Sequence, residues 1–155
     1  AIQRLRDMNI ESSILATSIN CIIGQRLARR VCETCCEPTT PDPAILEALH
    51  VPGNFGDLNL YQAVGCDECG GTGYRGRVGI FEVLEITDEI RDLISKRAPA
   101  EQITRATMRQ GMRSLRDDAL RKAAAGITSL EEVLRVTKTN LACRDEDADV
   151  APVGA

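Results

Sequence analysis

Cys32-Glu33-Thr34-Cys35 and Cys66-Asp67-Glu68-Cys69 form two Cys-x2-Cys pairs with thirty residues between them. Nothing else in the 155 residues restricts the fold as strongly. A Cys-x2-Cys turn aims both sulfurs at one point, and zinc takes four soft ligands in a tetrahedron. The second pair lies in Gly65 to Arg77, where five of thirteen residues are Gly. Such a stretch is tight and looped, and its backbone amides can approach the sulfurs closely. A metal there closes the excursion that leaves at Cys32 and returns at Cys69, and fixes where the following strand starts. That describes a structural staple with four protein ligands and no open position.

Other readings of the cysteines are a redox pair or disulfides. Neither pair opens a helix after a strand, as a thioredoxin-like motif would. The chain carries seven Cys without a secretory pattern, which favours metal over disulfides. Cys36 follows Cys35 directly, so Cys32 could pair with Cys36 instead; the repeated spacing favours Cys35. Cys21 reads as a core cysteine of an apolar helix, and Cys143 as idle. His50, the lone histidine, reads as a surface or capping residue at a helix end. Four thiolates around zinc carry a formal charge of about -2, which Arg29, Arg30, Arg75 and Arg77 could balance.

Composition excludes several function classes. The net charge is -4, which opposes a main role in nucleic-acid binding. There is no apolar run long enough to span a membrane. The chain opens Ala1-Ile2-Gln3-Arg4 in mid-pattern, and reads as a fragment of something larger. No Gly-x4-Gly-Lys-[Ser/Thr] loop, Gly-x-Ser-x-Gly elbow or His-Glu-x2-His motif is present. With one His, acid–base chemistry has no obvious proton carrier, so the chain alone reads as catalytically silent.

The periodicity predicts an α+β fold, mostly α. Residues 1–8 read as the end of a helix. Leu15, Ile19, Ile22, Ile23 and Leu27 recur at spacings of three and four, predicting an amphipathic helix to about Arg30. Arg26, Arg29 and Arg30 would then sit at its C-terminus. Asp42 and Pro43 open a short helix, and 51–64 is a polar connection. Val78 to Ile86 is strand-like. Thr87, Ala100, Ser114 and Thr128 open four short helices that suggest a small packed bundle. Beyond Thr137 the periodicity stops and the chain turns acidic, so 138–155 reads as a disordered acidic tail.

Three segments together resemble one family. They are Ala1 to Met8 with Gln25-Arg26-Leu27-Ala28-Arg29-Arg30-Val31-Cys32; Gly65 to Glu82; and Gly111 to Leu115 with Gly126 to Thr137. They are similar to the region just after the nucleotide-binding core of bacterial type II secretion and type IV pilus assembly ATPases. The resemblance covers about 1–137, and favours the assembly and secretion branch because the retraction branch lacks the tetracysteine insert. It implies four segments: 1–31, the end of the ATPase core; 32–86, a tetracysteine zinc-binding subdomain with the following strand; 87–137, a C-terminal helical subdomain; and 138–155, the tail. It implies Cys32, Cys35, Cys66 and Cys69 as structural zinc ligands, and places Gln25 and Arg26 near the nucleotide. It also implies a cytoplasmic homo-hexamer that binds ATP and Mg2+ through motifs preceding this region. Such a motor lies at the inner face of the inner membrane through platform and cytoplasmic anchor proteins. The alternative is a free-standing zinc-knuckle module binding nucleic acid or a protein client. Cys66-x2-Cys69-x-Gly71-x-Gly73 is similar to the knuckles of J-domain chaperones, but those repeat it four times and here it occurs once.

Overall fold

The computed structural model describes residues 1–51 and 60–137. The expected connection over 51–64 is therefore seen only at its ends. The expected tail, 138–155 with Cys143, lies outside the described residues. The fold is α+β, as expected. The described residues divide into two compact units, 1–24 with 81–114, and 25–51 and 60–80 with 115–137.

The first unit begins with α1 (Ile2–Asp7) and α2 (Ser12–Ser18). The helix expected to continue to Arg30 ends at Ser18 and gives way to strand β1 (Cys21–Val31). Ile19, Ile22 and Ile23 explain the change, because β-branched side chains are stiff in a helix and suit a pleated strand. From Cys21 to Leu27 exposure alternates residue by residue, the period of a strand. Gly24 sits where a Cβ would come 2.6 Å from the Glu82 side chain. Cys21 is consequently exposed on a strand, not buried in a helix.

Helices α4 (Asp88–Ser95) and α5 (Ala100–Arg109) complete this unit. Asp88 and Glu89 occupy the first turn of α4, where the helix dipole favours negative charge. Ile90 and Ile94, four residues apart, point inward and are fully buried with Ile2, Leu15, Ala16, Ile103 and Ala106. Arg6 donates to the carbonyls of Ile94 (2.8 Å), in the last turn of α4, and Ala98 (3.4 Å), just beyond it.

The second unit holds β2 (Cys36–Pro38), α3 (Pro43–Ala48) and β3 (Tyr61–Ala63). β2 and β3 pair antiparallel with Glu37 opposite Gln62. This small sheet was not expected, because three-residue strands leave no periodic signal. Asp42 caps α3 by accepting from the Ala44 amide at 2.8 Å, as its position before Pro43 implies. Strand β4 (Tyr74–Glu85) starts four residues earlier than Val78 and pairs with β1.

Helices α6 (Leu115–Ala124) and α7 (Leu130–Thr137) belong to the second unit, so the four closing helices are shared between the two. Ala119 and Ala123 of α6 are fully buried with Val133 of α7. The start of α7 lies one residue later than expected. Ser129 Oγ accepts from the Glu132 amide at 3.3 Å, while the Thr128 hydroxyl donates to the Arg29 carbonyl at 2.8 Å. No helix among the described residues is long and apolar enough to cross a membrane.

Candidate metal centre

The last residue of β1 and its neighbour are pinned on both sides. The Val31 amide donates to the Ile127 carbonyl at 3.1 Å, and the Cys32 amide to the Gly73 carbonyl at 2.9 Å. The chain then turns back, with the amides of Cys35 (3.3 Å) and Cys36 (2.9 Å) donating to the Cys32 carbonyl. The second pair is built on a single 3-10 turn, Asp67–Cys69. Gly70 ends it in the left-handed region at φ +63, and its amide donates to the Asp67 carbonyl at 3.1 Å. A residue with a side chain adopts that conformation at a cost; glycine does not.

These two turns bring Cys32, Cys35, Cys66 and Cys69 into one group. The sulfurs of Cys32 and Cys66 are 3.9 Å apart, those of Cys35 and Cys69 3.9 Å, and those of Cys66 and Cys69 3.8 Å. Four sulfurs held about 2.3 Å from a central zinc would lie about 3.8 Å from one another. The donor set and its spacing therefore fit a tetrahedral zinc ion. Cys36 is outside the group, its sulfur directed at the Glu33 carbonyl at 4.0 Å. Cys21 and His50 are also outside it.

Backbone amides converge on the sulfurs. Gly65 donates to Cys35 Sγ at 3.3 Å, and Cys66 and Gly73 donate to Cys69 Sγ at 3.1 and 3.2 Å. Hydrogen bonds to a thiolate favour its charged form. The Cys66 amide, with that of Gly73, brings the Cys69 thiol down to about 6. The backbone of Thr34 lowers Cys32. Burial instead pushes Cys35 up to about 12.

Gly73 has a second role. Its φ is +72, and a Cβ there would meet Ala63 backbone carbon at 2.7 Å. Gly70 shares the left-handed conformation but has open space around it. Gly70→Ala is expected to cost about 1 kcal/mol, the left-handed penalty alone. Gly73→Ala is expected to cost at least about 2 kcal/mol more, because the backbone itself must shift. Denaturant melts of the two variants check this; equal losses would mean that Ala63 yields freely.

Of the arginines flagged by sequence, Arg29, Arg30 and Arg75 each have an acidic partner. Arg29 binds Glu132 (2.8 Å) and lies 4.0 Å over the Tyr74 ring. Arg30 meets Glu33 at 3.5 Å, and Arg75 meets Glu68 at 3.2 Å. Glu68 also accepts from the Thr34 hydroxyl at 2.9 Å, tying the two cysteine turns together. No spacing in the sequence links Thr34 to Glu68, so that brace was not foreseen. Gln25 and Arg26 lie on β1, away from the cysteines; Gln25 is exposed and Arg26 donates to the Val136 carbonyl.

Residues 1–135 match the family described as Type II/IV secretion system protein. Among curated relatives, the type IV pilus assembly ATPase PilB of Thermus thermophilus is 44% identical over 88% of this chain and 16% of its own length. The type II secretion system ATPase E of Vibrio cholerae is 44% identical over 89% of this chain and 27% of its own. PilB of Myxococcus xanthus is 40% identical over 86% and 24%. The chain thus spans about a sixth to a quarter of the length of these relatives. The match runs through both units and both cysteine turns, and on that footing the chain belongs to the type II/IV secretion system protein family.

Proposed function

We propose that this chain is the C-terminal zinc-binding and helical region of a hexameric cytoplasmic ATPase that powers type IV pilus assembly or type II protein secretion. The observation that carries the reading is the set of sulfur separations at the tetrahedral edge length, inside a chain matched to the family along 1–135. Cys32, Cys35, Cys66 and Cys69 hold a structural zinc ion, which supplies cross-linking and no chemistry. Residues 1–31 close the nucleotide-binding core, with Gln25 and Arg26 near the nucleotide, and ATP and Mg2+ are bound by the parent's preceding segments. Residues 32–86 form the zinc subdomain, and the helical region 87–137 is shared between the two compact units. The role of the region itself is structural and partner-binding, toward the platform and anchor proteins that keep the motor at the inner membrane. The thiolates must be deprotonated to bind metal, so loading releases protons.

Native mass spectrometry of the reduced chain, with and without a chelator, tests the metal reading. One zinc per chain is the expected stoichiometry. A folded, reduced chain that carries no metal would withdraw the ligand assignment. ATP hydrolysis by the purified chain, surviving controls for contaminants, would overturn the assigned division of labour.

A further inference from the structure

We propose that an arginine-lined groove beside the cysteine turns takes an acidic peptide segment of a partner protein, whose carboxylates displace the groove's own Glu33. The groove has a volume of about 360 Å³ and is lined by Arg30, Arg75 and Arg77 together with Cys32, Glu33 and Thr34, all within the second unit. The Arg30 stem runs past Gly76, where a Cβ would stand 4.0 Å from Arg30 Cδ. Gly76 lies between Arg75 and Arg77, so all three arginines rise from one short stretch of the wall. A planar guanidinium binds carboxylates in two-pronged fashion.

The metal centre does not consume these charges. Among the described residues no guanidinium donates to a cysteine sulfur, whereas Gly65, Cys66 and Gly73 do so through their amides. The local acids hold the groove loosely. Arg30 meets Glu33 only at 3.5 Å, and the Glu33 side chain is 89% exposed. The Arg75–Glu68 pair is exposed on both sides. Exposed pairs of this kind are weak. Glu68 is also held by the Thr34 hydroxyl, so Glu33 is the acid that yields. Arg77 has no ion pair or hydrogen bond among the described residues.

Shape and charge select the occupant. A lipid surface is too flat to enter a concavity of this size. A nucleic acid wants open aromatic faces for its bases, and Tyr74, next to Arg75, already has Arg29 stacked 4.0 Å over its ring. The net charge of -4 also opposes a polyanion as long as a nucleic acid. A short acidic segment meets neither obstacle. In an extended chain alternate side chains point the same way about 7 Å apart, so two acids at that spacing enter one groove together. The proposal gives the partner-binding role assigned above a surface and a chemistry, and it rests on that reading for there being a partner.

The test uses the full chain and three probes: capped tetraglutamate, capped tetraglutamine and inorganic phosphate. The readout is the arginine Nε–Hε resonances in NMR, with Arg30→Gln, Arg75→Gln and Arg77→Gln used for assignment. At low salt tetraglutamate is expected to shift these three signals saturably, with a Kd on the order of 1 mM. The signal of Arg4, exposed on α1, should stay in place. Tetraglutamine should shift nothing. Arg77→Gln should weaken binding at least about fivefold, and Arg4→Gln less than about twofold. Glu33→Gln, which removes the displaced acid, should tighten binding about twofold. Shifts that do not saturate, an Arg77→Gln chain that binds as well as the wild type, or a Glu33→Gln chain that binds no more tightly would each overturn the proposal. Equal shifts from phosphate at the same concentration would make a free oxyanion the occupant and overturn it too. Zinc content is read separately by native mass spectrometry. A loaded chain that ignores tetraglutamate ends this proposal and leaves the metal reading standing; a metal-free chain that binds it does the reverse.

Discussion

Cys69→Ser is expected to lower zinc affinity by at least about a thousandfold and to unfold the second unit while leaving the first. Cys69 is the most heavily supported of the four sulfurs. It accepts two backbone amides, lies 3.8–3.9 Å from Cys66 and Cys35, and has its thiol held at about 6. A serine hydroxyl is a hard, neutral ligand on a shorter bond, and zinc prefers thiolate. Structural zinc contributes on the order of 10–16 kcal/mol to the fold that presents its ligands, so on the proposed four-sulfur ligand set the loss of Cys69 reaches the whole site. The consequence should spread along the contacts that leave the turns. Those are the Cys32–Gly73 and Val31–Ile127 backbone bonds, and the 2.8 Å bond between Tyr74 and Ser129. Hydrogen exchange is expected to show protection lost over 25–51, 60–80 and 115–137 and kept in α1, α2, α4 and α5. Equal loss in α4 and α5 would mean that the two units share one stability. Unchanged zinc affinity would remove Cys69 from the ligand set.

The pattern of legible and hidden features follows from how far each signal reaches along the chain. The cysteine turns, the Asp42 cap and the first turn of α4 are local, and each shows in four to six consecutive residues. The family resemblance rested on such local stretches, and the match over 1–135 bears it out. β1 was hidden because Leu15, Ile19, Ile22, Ile23 and Leu27 satisfy a helical period by coincidence. The β-branched run and Gly24 carried the opposite message, and pairing with β4 decided it. The sharing of the closing helices was hidden because the apolar residues of α4 and α6 do not say in the sequence against which partner each is buried. Thr128 and Ser129 are both good caps; the contact to the Arg29 carbonyl takes Thr128 away. Tertiary partners, not propensity, made these choices.

The same limit hid Glu132, which yields the last expected result: Glu132→Gln should cost about 2–3 kcal/mol at neutral pH and remove a stability loss in acid. Sequence alone reads Glu132 as an ordinary first-turn acid of α7. In the fold its side chain is fully buried and accepts five hydrogen bonds. They come from the Arg29 amide (2.8 Å), Arg29 Nε (3.0 Å) and Nη2 (2.8 Å), and Arg135 Nε (2.7 Å) and Nη2 (2.5 Å). Burial alone would push this carboxyl up, but the hydrogen bonds from Arg135 and Arg29 outweigh it and hold it at about 2. A glutamine keeps the shape, gives up the charge, and turns one acceptor into a donor facing guanidinium donors. Removing one partner of a fully buried pair costs about 3–5 kcal/mol. Both arginines here are about half exposed and can hydrate, which sets the lower figure. The sign with pH follows from the depressed acidity. The ordinary value is 4.5, so the stabilisation is complete above 4.5 and is lost as pH falls toward 2, by about 3 kcal/mol in all. Zinc release in acid would itself unfold the second unit, so bound zinc is measured at each pH and the gap between wild type and Glu132→Gln is read only where both chains stay loaded. Denaturant melts from pH 7 to pH 2.5 should show that gap constant above pH 5 and closing below it. A gap that stays constant to pH 2.5 would mean that the arginines do not hold Glu132 ionised, and that the variant's cost is one of packing.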